Sequence, residues 1–363
     1  MGDEATRGVR ARYGDRVPAP DRLSPEDATT RPVDVLCLGH ALVDRLAHAR
    51  PEDVAGHMEP GAMTLVDGTR AAEIERALPG WAEAAGGSAA NTAAGIASLG
   101  GRPAFAGAVG DDDAGAWYVE DLAAQGVRCT VDKVETGEAT GVCHVLITPG
   151  GQRSMATHLG AAELLQADTV DRAGVAEAAA VYIEGYLLDA REARYALDRA
   201  IDLAARHRTA VALSMSDAFV VARHRERIVR LIDEGAVDVL FGNEEEALCL
   251  SGSDTLEGAV AWLEQAGQRA VVTLGARGAL VTSGGHREEI AAYPVDRVED
   301  TTGAGDLFAA GCLFGVTRGL GWNRSLRLGA FAAAEVISHV GARPAVSLRD
   351  AAPRGLVPAA TSP

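Results

Sequence analysis

Lysine is almost absent from this chain: Lys133 stands alone among 34 basic residues, and all the others are arginine. A Walker-type phosphate loop needs a Gly-Lys-Ser/Thr ending, and Lys133 lies in Asp-Lys-Val, so that route to a nucleotide is excluded. Positive charge is scarce altogether. Against 51 acidic residues the net charge is −17, which disfavours nucleic acid or an anionic membrane as a partner. The same excess also serves solubility, and a phosphate-bearing substrate would need a local positive site. Paired cysteines are missing too. Cys37, Cys129, Cys143, Cys249 and Cys312 are odd in number and never in CxxC spacing, which argues against a zinc site or a disulfide framework and fits a reducing cytoplasm. No charge-free apolar run approaches the roughly 18 residues of a membrane span. Residues 1–31 lack both periodicity and the apolar stretch of a signal peptide, and read as a disordered leader. Residues 352–363 read as a loose tail.

What remains suits one large α/β domain. The chain has 363 residues, 47% of them apolar, enough for a sizeable core. Short apolar runs at Val33–Gly39, Ala180–Ile183, Ala210–Ser214, Val237–Phe241 and Ala270–Leu274 alternate with helical periodicity, as at Glu192–Arg206 and Leu256–Ala266. That rhythm predicts βαβ units and a mostly parallel sheet with helices on both faces, spanning about 33–350. Two stretches break it, 45–83 and 127–158. The second alternates in strand fashion at Val131–Val134, Thr140–Thr148 and Arg153–His158 around the turn Pro149-Gly150-Gly151. A small β-lid over the carboxyl edge of the sheet, where ligands bind in such folds, would use both stretches.

The densest chemistry is in Asp300-Thr-Thr-Gly303-Ala304-Gly305-Asp306-Leu-Phe308, which opens an apolar helix. Unpaired N–H groups at that helix start favour an anion beneath Gly303 and Gly305, with the Asp306 carboxylate beside it. Such a pairing suits phosphoryl transfer, although Asp306 alone also reads as a plain first-turn acid. Gly311 and Gly315 predict close helix packing rather than ligand contact. Five further features stand at strand ends or helix starts. Gly86-Gly87-Ser88-Ala-Ala-Asn91 reads as a glycine approach with an amide behind it, or as a turn with a satisfied asparagine. Asp44 offers a carboxylate to a vicinal diol, or is a loop acid. Asn243-Glu-Glu-Glu246 is a helix cap, or places Glu246 on magnesium through water. Thr273-Leu-Gly275-Ala-Arg-Gly278 is a turn between two strands, or a backbone approach to a nucleotide. Arg153 is a surface arginine, or a phosphate ligand on the lid.

Taken together, these motifs resemble the ribokinase (PfkB) family of carbohydrate and nucleoside kinases, from about Val33 to Pro344. The resemblance implies a Rossmann-like α/β domain with a β-lid, and MgATP-dependent transfer of the γ-phosphoryl to a primary hydroxyl. By position it implies Asp306 as base, an anion hole of Gly303, Ala304 and Gly305, and acceptor contacts from Asp44, Gly86, Gly87 and Asn91. Arg153 would neutralise the phosphoryl. Asn243, Thr273, Gly275 and Gly278 would border ATP, with the Gly329–Gly341 segment near adenine and Glu246 on magnesium. A potassium ion is expected near Asp300. Ser154–Gly160 and Glu184–Leu188 are closer to the adenosine-kinase-like branch, and Met63, Leu65, Trp81 and Tyr186 either flank a flat base or form the core of the lid. The expectation is therefore a cytoplasmic nucleoside kinase, monomer or homodimer, acting on the 5′-hydroxyl of adenosine. A free-sugar kinase for ribose or fructose is the runner-up, and a non-catalytic regulator on the same fold stays open. An oxidoreductase fits worse, since no dinucleotide fingerprint follows the first strand.

Overall fold

The computed structural model describes residues 22–23, 30–61, 63–78, 80–149 and 153–358. Most of the leader expected over 1–31, the turn glycines Gly150 and Gly151, and residues 359–363 of the expected tail lie outside them. The described ends are tied down, contrary to expectation. Leu23 is 7% exposed and packs in the core. Arg31 donates to Ala176 O, Ala178 O and Thr209 Oγ1. Leu356 and Val357 rest on the core, and Leu356 O accepts from Arg324 Nε at 3.0 Å. Apolar side chains and a multidentate arginine anchor stretches that composition alone marks as loose.

Fourteen strands are described. Nine form the main sheet: β1 (Val33–Leu38), β5 (Pro103–Gly110), β6 (Arg128–Val134), β9 (Ala178–Ile183), β10 (Ala210–Ser214), β11 (Val239–Asn243), β12 (Ala270–Thr273), β13 (Ala279–Ser283) and β14 (His286–Ile290). Their order is β14-β13-β12-β11-β10-β9-β1-β5-β6. It is parallel from β12 to β6 and ends in an antiparallel β12–β13–β14 meander. Strand β1 is buried along its whole length because it feeds two cores at once. Leu36 and Leu38 point to one, beneath helices Arg191–His207 and Ala218–Asp233, and Val35 and Cys37 to the other, beneath helices Ser88–Ser98 and Ala304–Thr317. The chain leaves β1 in both directions, to β5 and to β9, so a crevice opens at its carboxyl end.

The other five strands, β2 (Leu42–His48), β3 (Met63–Leu65), β4 (Ala82–Gly86), β7 (Gly141–Ile147) and β8 (Arg153–His158), form a second sheet ordered β3-β8-β7-β2-β4. Helices Pro51–His57 and Gly68–Ala77 cover one face of it through Val54, Ile74, Leu146 and Ala156. One assignment is corrected. The alternation at Val131–Val134 placed that stretch in the lid, yet β6 pairs in parallel with β5 at the edge of the main sheet. Alternation marks any half-exposed strand and does not say which sheet owns it.

Helices Ala304–Thr317 and Trp322–Val336 pack closely because their contacts are glycine. A Cβ on Gly311 would come within 2.5 Å of Gly329 N, and one on Gly315 within 2.3 Å of Ser325 Oγ. Gly329 therefore serves helix packing.

Candidate active site

A cavity of about 810 Å³ opens at the carboxyl ends of β1, β9, β10 and β11, roofed by the second sheet. Asp44, Gly87, Asn91, Arg153, Asn243, Glu246, Thr273, Gly275, Gly303, Ala304, Gly305 and Asp306 all line it. Gly86, Gly278 and Asp300 do not.

Asp306 lies in the first turn of helix Ala304–Thr317, behind Gly303 in the left-handed region at φ 76. Glycine is required at 303, since a Cβ would meet Ala342 O at 2.5 Å. At Gly305 a Cβ would meet no protein atom, so its bareness faces the cavity instead of packing. Leu307 N makes the first helical bond, to Gly303 O at 2.8 Å, which leaves the N–H groups of Gly305 and Asp306 without helical partners. Ala304 N is the weaker member of the expected hole, because Thr301 O takes it at 3.3 Å.

The carboxylate of Asp306 is held from the opposite helix. Ser88 Oγ donates to Oδ1 at 2.7 Å and Asn91 Nδ2 to Oδ2 at 3.0 Å. Burial raises the Asp306 pKa, and these two bonds oppose the shift by favouring the charged form. Asn91, expected on acceptor hydroxyls, thus uses an amide N–H on the Asp306 carboxylate. Ser88 stood in the quoted motif without a role; its place one residue after Gly87 was the available signal.

The glycine pair before it makes room. A Cβ on Gly86 would lie 2.3 Å from the Asp44 carboxyl, and one on Gly87 (φ 93) 2.2 Å from His40 O. Gly86 therefore yields space to Asp44 and not to a ligand. Asp44 itself sits within β2, between Ala84 of β4 and Cys143 of β7, and not in a loop. Burial lifts its pKa to about 7, against the pull of Arg343 and Arg153. On the same cavity wall Glu184, 1% exposed, accepts His40 N at 2.7 Å and Ala89 N at 3.0 Å. Burial raises Glu184 to about 8 and lowers His40 to about 4. Neither was assigned a role from sequence, because a lone acid after a strand carries no spacing signal.

Arg153 reaches from β8 to the helix-start loop. It donates to Thr302 Oγ1 at 2.6 Å and pairs with Asp300. Asp300 also accepts Thr302 N at 2.8 Å and Gly341 N at 2.7 Å. The carboxylate expected beside a potassium ion is therefore engaged by a guanidinium and two backbone donors. No cluster of three His, Cys, Asp or Glu side chains suited to a metal occurs among the described residues.

On the far side of the cavity, Asn243 caps helix Glu244–Ser251 in a reciprocal box with Glu246. Asn243 Nδ2 donates to Glu246 Oε1 at 2.6 Å, and burial raises Glu246 to about 7. The cap reading holds, and the cap leaves Glu246 on the cavity wall. Gly278 serves packing, where a Cβ would meet Ile290 O at 2.0 Å. Trp81 stacks edge-on to His144 inside the lid and does not reach the cavity, whereas Met63, Leu65 and Tyr186 line it.

The pfkB family carbohydrate kinase profile matches residues 61–348. The chain belongs to the pfkB carbohydrate kinase family. This pfkB kinase is 39% identical to a solved adenosine kinase from Sinorhizobium meliloti, with a TM-score of 0.84 over 88% of this chain and 98% of that one. A probable sugar kinase from Rhizobium etli is 36% identical, with a TM-score of 0.85 over the same shares. Adenosine kinase from Saccharomyces cerevisiae is 29% identical over 334 residues, 85% of this chain and 95% of the yeast protein. The fold is thus ribokinase-like, and the activity is that of a phosphotransferase acting on a hydroxyl of a nucleoside or sugar. Kinases of this family use ATP, typically with magnesium. Among the described residues no helix is long and apolar enough to cross a membrane.

Proposed function

We propose that this kinase transfers the γ-phosphoryl of ATP to the 5′-hydroxyl of a nucleoside, adenosine foremost, with Asp306 as general base. The observation that carries the reading is the Asp306 carboxylate, held by Ser88 and Asn91 at a helix start whose free N–H groups face the cavity that Asp44 lines. Asp306 removes the hydroxyl proton as the new O–P bond forms and the bond to the ADP oxygen breaks. Of the N–H groups expected at Gly303, Ala304 and Gly305, the free one at Gly305 leads, and with that of Asp306 it holds the charge on the moving phosphoryl. The bare face of Gly305 leaves room for that group. Asn243, Thr273 and Gly275 border the same cavity and suit the nucleotide. Glu246, a single carboxylate with acceptor capacity left after capping, fits a magnesium ion held through water, which would shield the phosphate charges. Potassium activation would require the ion to compete with Arg153 for Asp300.

The nucleoside preference rests on the lid. Met63, Leu65, Met155 and Leu159 give the roof an apolar wall suited to a flat base, and the 39% identical neighbour is an adenosine kinase. A free sugar is the second reading, favoured by the comparable likeness to the Rhizobium etli protein.

On this reading Asp44, on the cavity wall, accepts two hydrogen bonds from a vicinal diol. Its replacement by alanine is expected to raise the acceptor KM at least about tenfold and to leave the ATP KM within about twofold. Equal rises for both substrates would remove Asp44 from the acceptor site. The ionised form is the one that accepts both bonds, and it prevails above a pKa of about 7. Acceptor kcat/KM should therefore fall as pH drops through about 7 in the wild type, and this limb should be absent from Asp44→Asn.

A further inference from the structure

Three consecutive residues, distant in sequence from the helix start, each hold one part of this site. Gly341 N donates to Asp300 Oδ2 at 2.7 Å. The backbone of Ala342 lies against Gly303, close enough to forbid a Cβ there. Arg343 Nε donates to Asn91 Oδ1 at 3.3 Å, while its Nη1 pairs with Asp121 Oδ2 at 2.9 Å. Arg343 is largely buried and does not line the cavity, so it does not touch a substrate.

The order of these groups dictates the asparagine amide. Arginine offers only donors, and an ionised carboxylate only acceptors. Asn91 sits between Arg343 and Asp306. With Oδ1 toward Arg343 and Nδ2 toward Asp306, both contacts are made. The reversed amide would set donor against donor and acceptor against acceptor.

We propose that Arg343 is a positioning residue for the base: by fixing the Asn91 amide, it keeps an N–H on Asp306 Oδ2 and the carboxylate aimed at the acceptor. This rests on the reading of Asp306 as base. Asp121, from helix Asp113–Ala124, anchors the far end of the guanidinium. Arg343 also draws down the pKa of Asp44, so its loss weakens acceptor binding by a second route that appears in KM. The effect through Asn91 appears in kcat.

The test is a double-mutant cycle on kcat at saturating ATP and acceptor, using whichever of adenosine, inosine, guanosine, ribose or fructose the wild type turns over fastest. Arg343→Met should lower kcat about tenfold in the wild-type background and less than about twofold beside Asn91→Ala. Arg343→Lys, which keeps a donor, should recover part of the loss. Equal losses from Arg343→Met in both backgrounds would overturn the proposal. So would a crystal structure of Arg343→Met in which Asn91 Nδ2 still donates to Asp306. Near wild-type turnover of Asp306→Asn is a separate result and would remove the base itself.

Discussion

Asp306→Asn is expected to lower kcat by about 10²–10⁴ while ATP affinity stays within about twofold of wild type. The substitution keeps the size and both neighbours of the side chain, since Ser88 and Asn91 remain, but an amide cannot take a proton. Two opposing influences set the native carboxylate. Burial pushes its pKa up, while the Ser88 hydroxyl and Asn91 amide favour the charged form. The site thus combines a proton acceptor with limited solvation, which raises the basicity of a carboxylate. Titration calorimetry with an ATP analogue and steady-state kinetics separate the two effects. A variant that binds ATP normally and turns over near the wild-type rate would remove Asp306 from the chemistry.

The second large effect is expected at Arg153. Arg153→Met should lower kcat by about 10²–10³, and Arg153→Lys should restore only a minor part. In a chain with one lysine, and that one on β6 beside Asp111, the guanidinium is the cation the lid brings to the helix start. Its bonds to Thr302 and Asp300 place it next to the proposed anion hole and tie the lid to the floor. These two roles separate kinetically. Charge on the moving phosphoryl lowers kcat when removed, whereas a lid fastener alone raises acceptor KM with kcat intact. An unchanged kcat in Arg153→Met would leave only the fastener.

Much of this site was legible because helix starts and strand ends announce themselves. Gly303, Gly305 and Asp306 form a helix opening with no Walker lysine elsewhere to compete with it. Gly86-Gly87 and Asn243-x-x-Glu246 carry local spacing, and both fall at the cavity. Sequence could not show what each residue touches. Gly86 is bare to admit Asp44, Gly278 to pass Ile290, and Gly329 to seat a neighbouring helix, and nothing local separates these from a glycine facing ligand. Arg343 and Glu184 act across 252 and 144 residues respectively, on Asn91 and His40, where no periodicity reaches. Strand β5 escaped notice because Pro103-Ala-Phe-Ala-Gly-Ala-Val-Gly110 is poor in β-branched residues. It is a strand by position, fully buried beside β1, and not by intrinsic preference.

The central claim is the transfer of a phosphoryl group to a nucleoside 5′-hydroxyl. The most direct measurement is ADP release with MgATP and, in turn, adenosine, inosine, guanosine, ribose and fructose, with the product of each reaction located by ³¹P NMR. The highest kcat/KM is expected with adenosine, with a single product, adenosine 5′-monophosphate. Turnover of ribose or fructose with none of adenosine would contradict it, and so would phosphate on a 2′- or 3′-oxygen.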